Sequence, residues 1–313
     1  MTDISTAASQ TPAPPSQEAA IHGTLGDYFA LLKPGVMSLA IFTALAGMIA
    51  APGPLHPVIA VTALIFIALG AGAAGALNMW YDADIDRLMS RTALRPIPRN
   101  RVPPDEALSF GLFLAGCSVV CLGILVNWIA AGLLALTIAY YFVIYTMWLK
   151  RRTPQNIVIG GAAGSFPPMI GWAVTTGSVS LESLVLFAII FLWTPPHFWA
   201  LAVNRARDYE RAGVPMMPNV AGKDHTRLLI LIYSVLTALA GVVPAFIGLG
   251  GRFYLAVSVI LGGAFIGFAV NLYLRRSGHA SDRACRAMFS FSILYLFGVF
   301  AALIADHALG LVR

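Results

Sequence analysis

"ALNMWYDADIDRLMSRTALRPIPRN", residues 76–100, closes a long apolar run with three aspartates in five positions and follows them with arginines at 87, 91, 95, 99 and 101. Like charges this close repel and cost stability unless something positive lies between them. The apolar run before them is long enough to cross a bilayer, which takes about 20 residues of helix. That length decides the fold class, and the acidic end points to the chemistry.

The rest of the chain repeats the pattern. Of 313 residues 58% are hydrophobic and only 11% charged, less than half the charge of an ordinary soluble domain at about 25%. Punctuated by Gly, Pro and charge, the apolar runs fall at 35–51, 57–78, 107–126, 128–149, 155–176, 181–203, 226–247, 252–274 and 286–308. The expectation is an all-α polytopic membrane protein of nine transmembrane helices over 27–313. Residues 1–26 form a tail whose first 23 positions hold no Lys or Arg and are rich in Ala, Ser, Thr, Pro and Gln. That composition reads as disorder, without the basic and apolar regions of a signal peptide.

With the N-terminus in the cytoplasm, 18 of the 20 basic residues fall in inner connections, Arg252 and Arg313 excepted. This positive-inside bias predicts an orientation with loops 79–106 and 204–225 on the cytoplasmic side, where long loops carry function. It also assigns the net charge of +6 to membrane topology rather than nucleic acid. Cys117, Cys121 and Cys285 read as small buried packing residues rather than a metal or disulfide pair.

Asn78, Asp82 and Asp86 stand four apart, so on a helix they form one stripe about 12 Å long, with Asp84 turned away. "NRARDYERAGVPMMPNV" (204–220) repeats the spacing with Asn204 and Asp208, and both copies lead through basic residues to a two-proline stretch. Oxygen ligands without thiolates or clustered histidines suit a hard cation, Mg²⁺ before Zn²⁺. Arginines beside them suit a diphosphate. His197, preceded by Pro195 and Pro196, is the one histidine well inside an expected span and is either functional or a packing residue. "GGAAG" (160–164) lies inside a span and reads as close helix packing.

"NMWYDADIDRLMSRTALRP" (78–96) resembles the first Asp-rich motif of the UbiA-type intramembrane prenyltransferases. "YTMWLKRRTPQNIVIGGAAGSFPPMIGW" (145–172), "FLWTPPHFWALA" (191–202) and "DYERAGVPMMPNV" (208–220) resemble the branch of that superfamily that farnesylates haem. The resemblance covers about residues 27–308. It implies a nine-helix bundle in a bacterial inner membrane, with Mg²⁺ held by Asn78, Asp82 and Asp86 at a first site and by Asp208 with Asn204 at a second. One departure stands out: the superfamily usually has Asp where this chain has Asn204. The implied reaction moves a farnesyl group from farnesyl diphosphate to a vinyl carbon of haem b, with water capturing the cation left on the porphyrin. The product would pass to a haem A synthase or terminal oxidase assembly. Arg91, Arg95, Lys150 and Arg151 would meet the diphosphate or a haem propionate. Tyr145 would face the allylic cation or else belong to the interface belt. His197 would serve as axial ligand or general base. A phenolic or quinone acceptor is the alternative within the superfamily. A transporter is disfavoured, since the acidic residues avoid the span centres.

Overall fold

The computed structural model describes residues 23–312. The expected disorder of the N-terminal tail therefore lies outside the described residues, except that Leu25 and Gly26 already belong to the first helix. That helix, α1 (Leu25–Leu31), begins at a capping box: Thr24 Oγ1 accepts from Asp27 N while the Asp27 carboxylate accepts from Thr24 N. It is followed by α2 (Pro34–Ala50), α3 (Pro57–Tyr81), α4 (Ala83–Leu88), α5 (Pro104–Leu125) and α6 (Trp128–Ala139). α6 runs on as a π-helix over Tyr140–Leu149. Then come α7 (Asn156–Thr176), α8 (Leu181–Asn204), α9 (Ala206–Arg211), α10 (Met217–Val220), α11 (Lys223–Phe246), α12 (Arg252–Leu274) and α13 (Gly278–Ala308).

Every regular element among the described residues is helical. Among the described residues eight helical stretches are long and apolar enough to cross a membrane, with Met37–Ala50 of α2 as a shorter apolar helix. Helix starts follow the local chemistry. The Asn127 side chain accepts from Ala130 N at 2.8 Å to open α6, and Ser180 with Ser183 forms a capping box for α8. The last helix starts at Gly278, eight residues before the expected 286. Its first turns are polar but anchored, because Arg227 Nη2 donates to the buried Ser281 Oγ at 2.8 Å.

Packing contacts run from α2 through α3, α5, α6, α7, α8, α11 and α12 to α13, which returns to α2 and closes a ring. Large apolar side chains such as Phe113, Ile124, Leu239 and Ile260 stay exposed on its outside, as does Cys117, so that of the three cysteines expected to be buried only Cys285 is. A water-soluble fold avoids this arrangement, whereas lipid accepts it. Across the ring, α2 and α7 meet backbone to backbone. A Cβ at Gly47 would stand 2.0 Å from the Pro168 carbonyl oxygen, and one at Gly171 would stand 1.9 Å from that of Ala44. Only glycine fits at these two points. The "GGAAG" stretch also serves packing, with Gly160 against the Tyr145 ring and Gly161 against Thr194.

Candidate active site

Both acidic motifs lie at one end of the ring. α3 ends at Tyr81 and α4 begins at Ala83, with Asp82 as the joint, yet the ladder continues through it. Asp82 N donates to Asn78 O at 3.0 Å, and Asp86 N donates to Asp82 O at 2.8 Å. The unbroken i to i−4 bonding keeps Asn78, Asp82 and Asp86 on one line, as their spacing predicts. All three are buried, Asp82 completely. Asp84 turns outward and receives both guanidinium nitrogens of Arg151, which hold its carboxyl below the usual range.

Each inward carboxylate has its own cation. Lys150 Nζ donates to Asp82 Oδ2 at 2.5 Å, and Arg95 Nη1 to Asp86 Oδ2 at 2.5 Å. Asn78 Nδ2 adds a 2.7 Å bond to Asp82, while Asp82 Oδ1 receives no hydrogen bond and lies 3.7 Å from Arg151 Nη2. In the second loop Asp208 pairs with Arg211 and accepts from Ser90 Oγ at 3.0 Å. Ser90 follows the first motif, so this bond ties the two acidic segments together. Burial pulls Asp208 upward, but Ser90, Arg211 and Arg205 outweigh it and hold the carboxyl below its ordinary value.

Other expected residues divide between this cluster and its surroundings. Arg91 lies against Tyr209, whose phenol burial pushes up and Arg91 partly pulls back. Arg151 is committed to Asp84, the Tyr81 carbonyl and the face of the Tyr81 ring at 4.9 Å. Tyr145 stacks on Tyr141 with centroids 5.3 Å apart. The π-turn links it to Lys150, whose N–H donates to the Tyr145 carbonyl at 2.9 Å. Such turns concentrate at functional sites, and here one residue of extra winding sets an aromatic face and a cation on consecutive turns.

The second motif does not repeat the first. α8 stops at Asn204, Arg205 leaves helical geometry at φ −113°, ψ 20°, and Asp208 N donates to Arg205 O rather than to Asn204 O. Without the i to i−4 step, Asn204 lines a groove between α8 and α13 with Arg286 and Phe289. His197 is buried deeper in the same seam. Its ring lies nearly parallel to Trp193 at 4.3 Å and Phe289 at 4.5 Å, and Nδ1 meets Ser292 Oγ at 2.6 Å. α8 stays helical through Pro195 and Pro196.

Lys33 is the residue that spacing misses. It is one of two non-glycine residues with positive φ among those described (54°), and its Nζ donates to Asn78 Oδ1 at 2.5 Å. Left-handed backbone costs energy in a lysine and gathers at functional sites. Burial, then Arg95 and Lys150, drive its pKa well below the ordinary lysine value, against the pull of Asp86 and Asp82. The faint signal in sequence is a solitary cation before Pro34. Tyr141, four residues before Tyr145, is likewise found only in the fold.

No group of three or more His, Cys, Asp or Glu side chains among the described residues is gathered closely enough to enclose a metal. The oxygen set that exists is Asp82 with its unbonded Oδ1, Asp86 and, across Ser90, Asp208.

A model of the UbiA prenyltransferase family matches residues 39–294. Protoheme IX farnesyltransferase of Beijerinckia indica subsp. indica is 60% identical over 286 residues, 91% of this chain and 89% of the relative. The protein of that name from Methylorubrum populi is 56% identical over 313 residues, 100% of this chain and 99% of its own. Among solved structures, digeranylgeranylglyceryl phosphate synthase superposes with TM-score 0.74 at 17% identity, covering 90% of this chain and 98% of its own. A UbiA homolog from Archaeoglobus fulgidus bound to DMAPP and Mg²⁺ gives TM-score 0.64 at 17% identity, covering 88% and 99%.

Proposed function

The chain belongs to the UbiA prenyltransferase family, and on that premise we propose that it transfers a farnesyl group from farnesyl diphosphate to a vinyl carbon of haem b. The acceptor is the one named for relatives that share more than half their residues with it over nearly their full length. Counting α2 as a span, it crosses the bacterial inner membrane nine times with the acidic end in the cytoplasm.

The observation that carries the reading is the pairing of each buried carboxylate with a side-chain cation at one end of an apolar bundle. Mg²⁺ takes one or two carboxylates and completes its shell with water and phosphate oxygens. Asp82, with its unbonded Oδ1, Asp86 and Asp208 fit that demand, with Asn78 as a neutral neighbour, while Asn204 stands apart. Bound there, Mg²⁺ would neutralise charge developing on the departing diphosphate. Lys150, Arg95 and Arg211 would then turn from the carboxylates to the diphosphate oxygens, joined by Lys33 and Arg91. Arg151 would hold α4 in place through Asp84.

The C–O bond of the farnesyl ester breaks and diphosphate leaves with the bonding pair. The allylic cation meets the stacked rings of Tyr141 and Tyr145, which offer negative faces in a dry chamber. A vinyl carbon supplies the electrons of the new C–C bond. Water then captures the porphyrin-side cation and loses a proton, leaving a hydroxyl. His197 acts on the acceptor side.

Turnover of purified protein with Mg²⁺, farnesyl diphosphate and haem b in ¹⁸O-water tests the whole reading. The expected product carries one farnesyl group and one labelled oxygen. Haem product without label would remove water capture, and consumption of 4-hydroxybenzoate in place of haem would remove the acceptor assignment.

A further inference from the structure

Along α8, His197, Ala200, Leu201 and Asn204 follow at intervals of three and four, which places them on one stripe. Opposite them on α13 stand Ser292, Phe289 and Cys285. Phe289 joins the two ends of this seam, stacking on His197 and lining a groove of about 200 Å³ with Asn204, Arg286 and Ser290 at its edge. The groove is therefore aromatic within and cationic at its mouth.

Arg286 differs from the basic residues of the acidic cluster. Arg95, Lys150, Arg151 and Arg211 each pair with a carboxylate. Arg286 is exposed and makes no ion pair among the described residues. Beside it, the amide of Asn204 brings both a donor and an acceptor, without the negative charge that an aspartate would set against an incoming anion. The occupant this chemistry recognises is a carboxylate attached to a flat apolar body.

Seven residues of helix, about 10.5 Å at 1.5 Å each, separate His197 from Asn204. Over that distance a flat body whose acidic arm lies at the groove mouth meets the Phe289 ring, which in turn stacks on the histidine. The Ser292 hydroxyl donates to Phe289 O at 2.6 Å, which leaves its lone pairs for Nδ1–H of His197 and puts the free lone pair of the ring on Nε2. A hydrogen bond on the far nitrogen is the usual way a metal-binding histidine is oriented.

We propose that the acceptor lies along the α8–α13 seam, with a carboxylate arm on Arg286 and Asn204 and its ring edge against Phe289. The groove accommodates an arm and an edge, with Phe289 between that edge and His197. This rests on haem being the acceptor. It also makes Asn204 a substrate contact and removes it from the metal set that its spacing implies.

The full-length enzyme, assayed with Mg²⁺ and farnesyl diphosphate against haem b and its propionate dimethyl ester, tests the site. Arg286→Gln is expected to raise KM for haem about tenfold, the loss of one charge-assisted hydrogen bond. It should leave KM for farnesyl diphosphate within about twofold and abolish discrimination against the ester. Arg286→Lys should restore most of that discrimination. An Arg286→Gln enzyme that keeps both its haem KM and its preference for the free acid would overturn this site alone. An unaltered enzyme that ignores haem and prenylates a phenol would overturn the functional reading, and this site with it.

Discussion

Asp82 and Asp306 are both completely buried, both keep one oxygen unbonded, and they lie at opposite ends of the bundle. Asp306 extends from α13 to the start of α12, where its Oδ2 accepts from Gly251 N at 2.5 Å and Tyr254 N at 3.1 Å. Those donors are backbone and cannot leave without unwinding the helix. Asp82 is held by the side chains of Lys150 and Asn78, which rotate away at the cost of a rotamer. The same residue type at the same burial is a rivet at one end and an exchangeable pair at the other. Partner mobility, more than burial or charge, separates the structural carboxylate from the one proposed to be catalytic.

The largest expected effect breaks the comparison if it fails. Asp82→Ala and Asp86→Ala should each lower kcat about 10²–10³-fold, the usual cost of losing an interaction made in the transition state, with little change in thermal stability in detergent. Asp306→Ala should do the reverse. It strands two backbone donors, costs about 1–3 kcal/mol of stability, and leaves kcat per folded molecule near that of the parent. An Asp306→Ala protein that melts normally but is inactive would dissolve the distinction.

Gly171→Ala should match or exceed that loss of stability, because its Cβ would press on the Ala44 carbonyl and force α2 and α7 apart. Overpacking of this kind costs about 1–3 kcal/mol, and α2 also delivers Lys33 to the site, so activity should fall along with melting temperature. Asp84→Ala belongs near zero. Its ion pair with Arg151 is largely exposed, where such pairs contribute about 0–1 kcal/mol, and it lies off the inward line. A change in kcat under about threefold is expected. Loss comparable to that of Asp82→Ala in a folded protein would defeat the helical-stripe argument.

The difference between the two motifs also explains how much could be read from the chain. Span length and charge placement are properties of whole segments, so the helices were legible to within a few residues, except where polar turns such as the start of α13 are held by tertiary bonds. Asn78, Asp82 and Asp86 were legible because the ladder passes through the joint at Asp82. Asn204 does not continue such a line with Asp208, because the same spacing spans a break at Arg205, which residue identity does not announce. The Gly47–Gly171 crossing, the π-turn below Tyr145 and the left-handed Lys33 are backbone events. Periodicity reports which face a residue occupies, not how closely two backbones approach.

The smallest expected effect sharpens the comparison at the surface, where Asp27 mixes both kinds of partner. Its carboxylate accepts from the Thr24 hydroxyl at 2.7 Å and the Thr24 backbone N–H at 3.1 Å, with Arg101 at 3.4 Å. The Thr24 hydroxyl bond is the chief reason its pKa sits below the ordinary value, outweighing partial burial, and the Thr24 N–H and Arg101 add to it. A carboxyl with a lowered pKa in the folded chain stabilises fully above its unfolded value of about 3.9. That contribution disappears as pH falls through the lowered value. The start of α1 should therefore stay docked at neutral pH and loosen only in acid. A spin label at Leu25, which is 90% exposed, in a background with the three cysteines replaced, should become mobile below about pH 4. Asp27→Asn keeps an acceptor but cannot titrate, so its label should show the same mobility at pH 7 and pH 3. If the parent and Asp27→Asn loosen together, the acid response belongs to other carboxylates and the capping box does not hold α1.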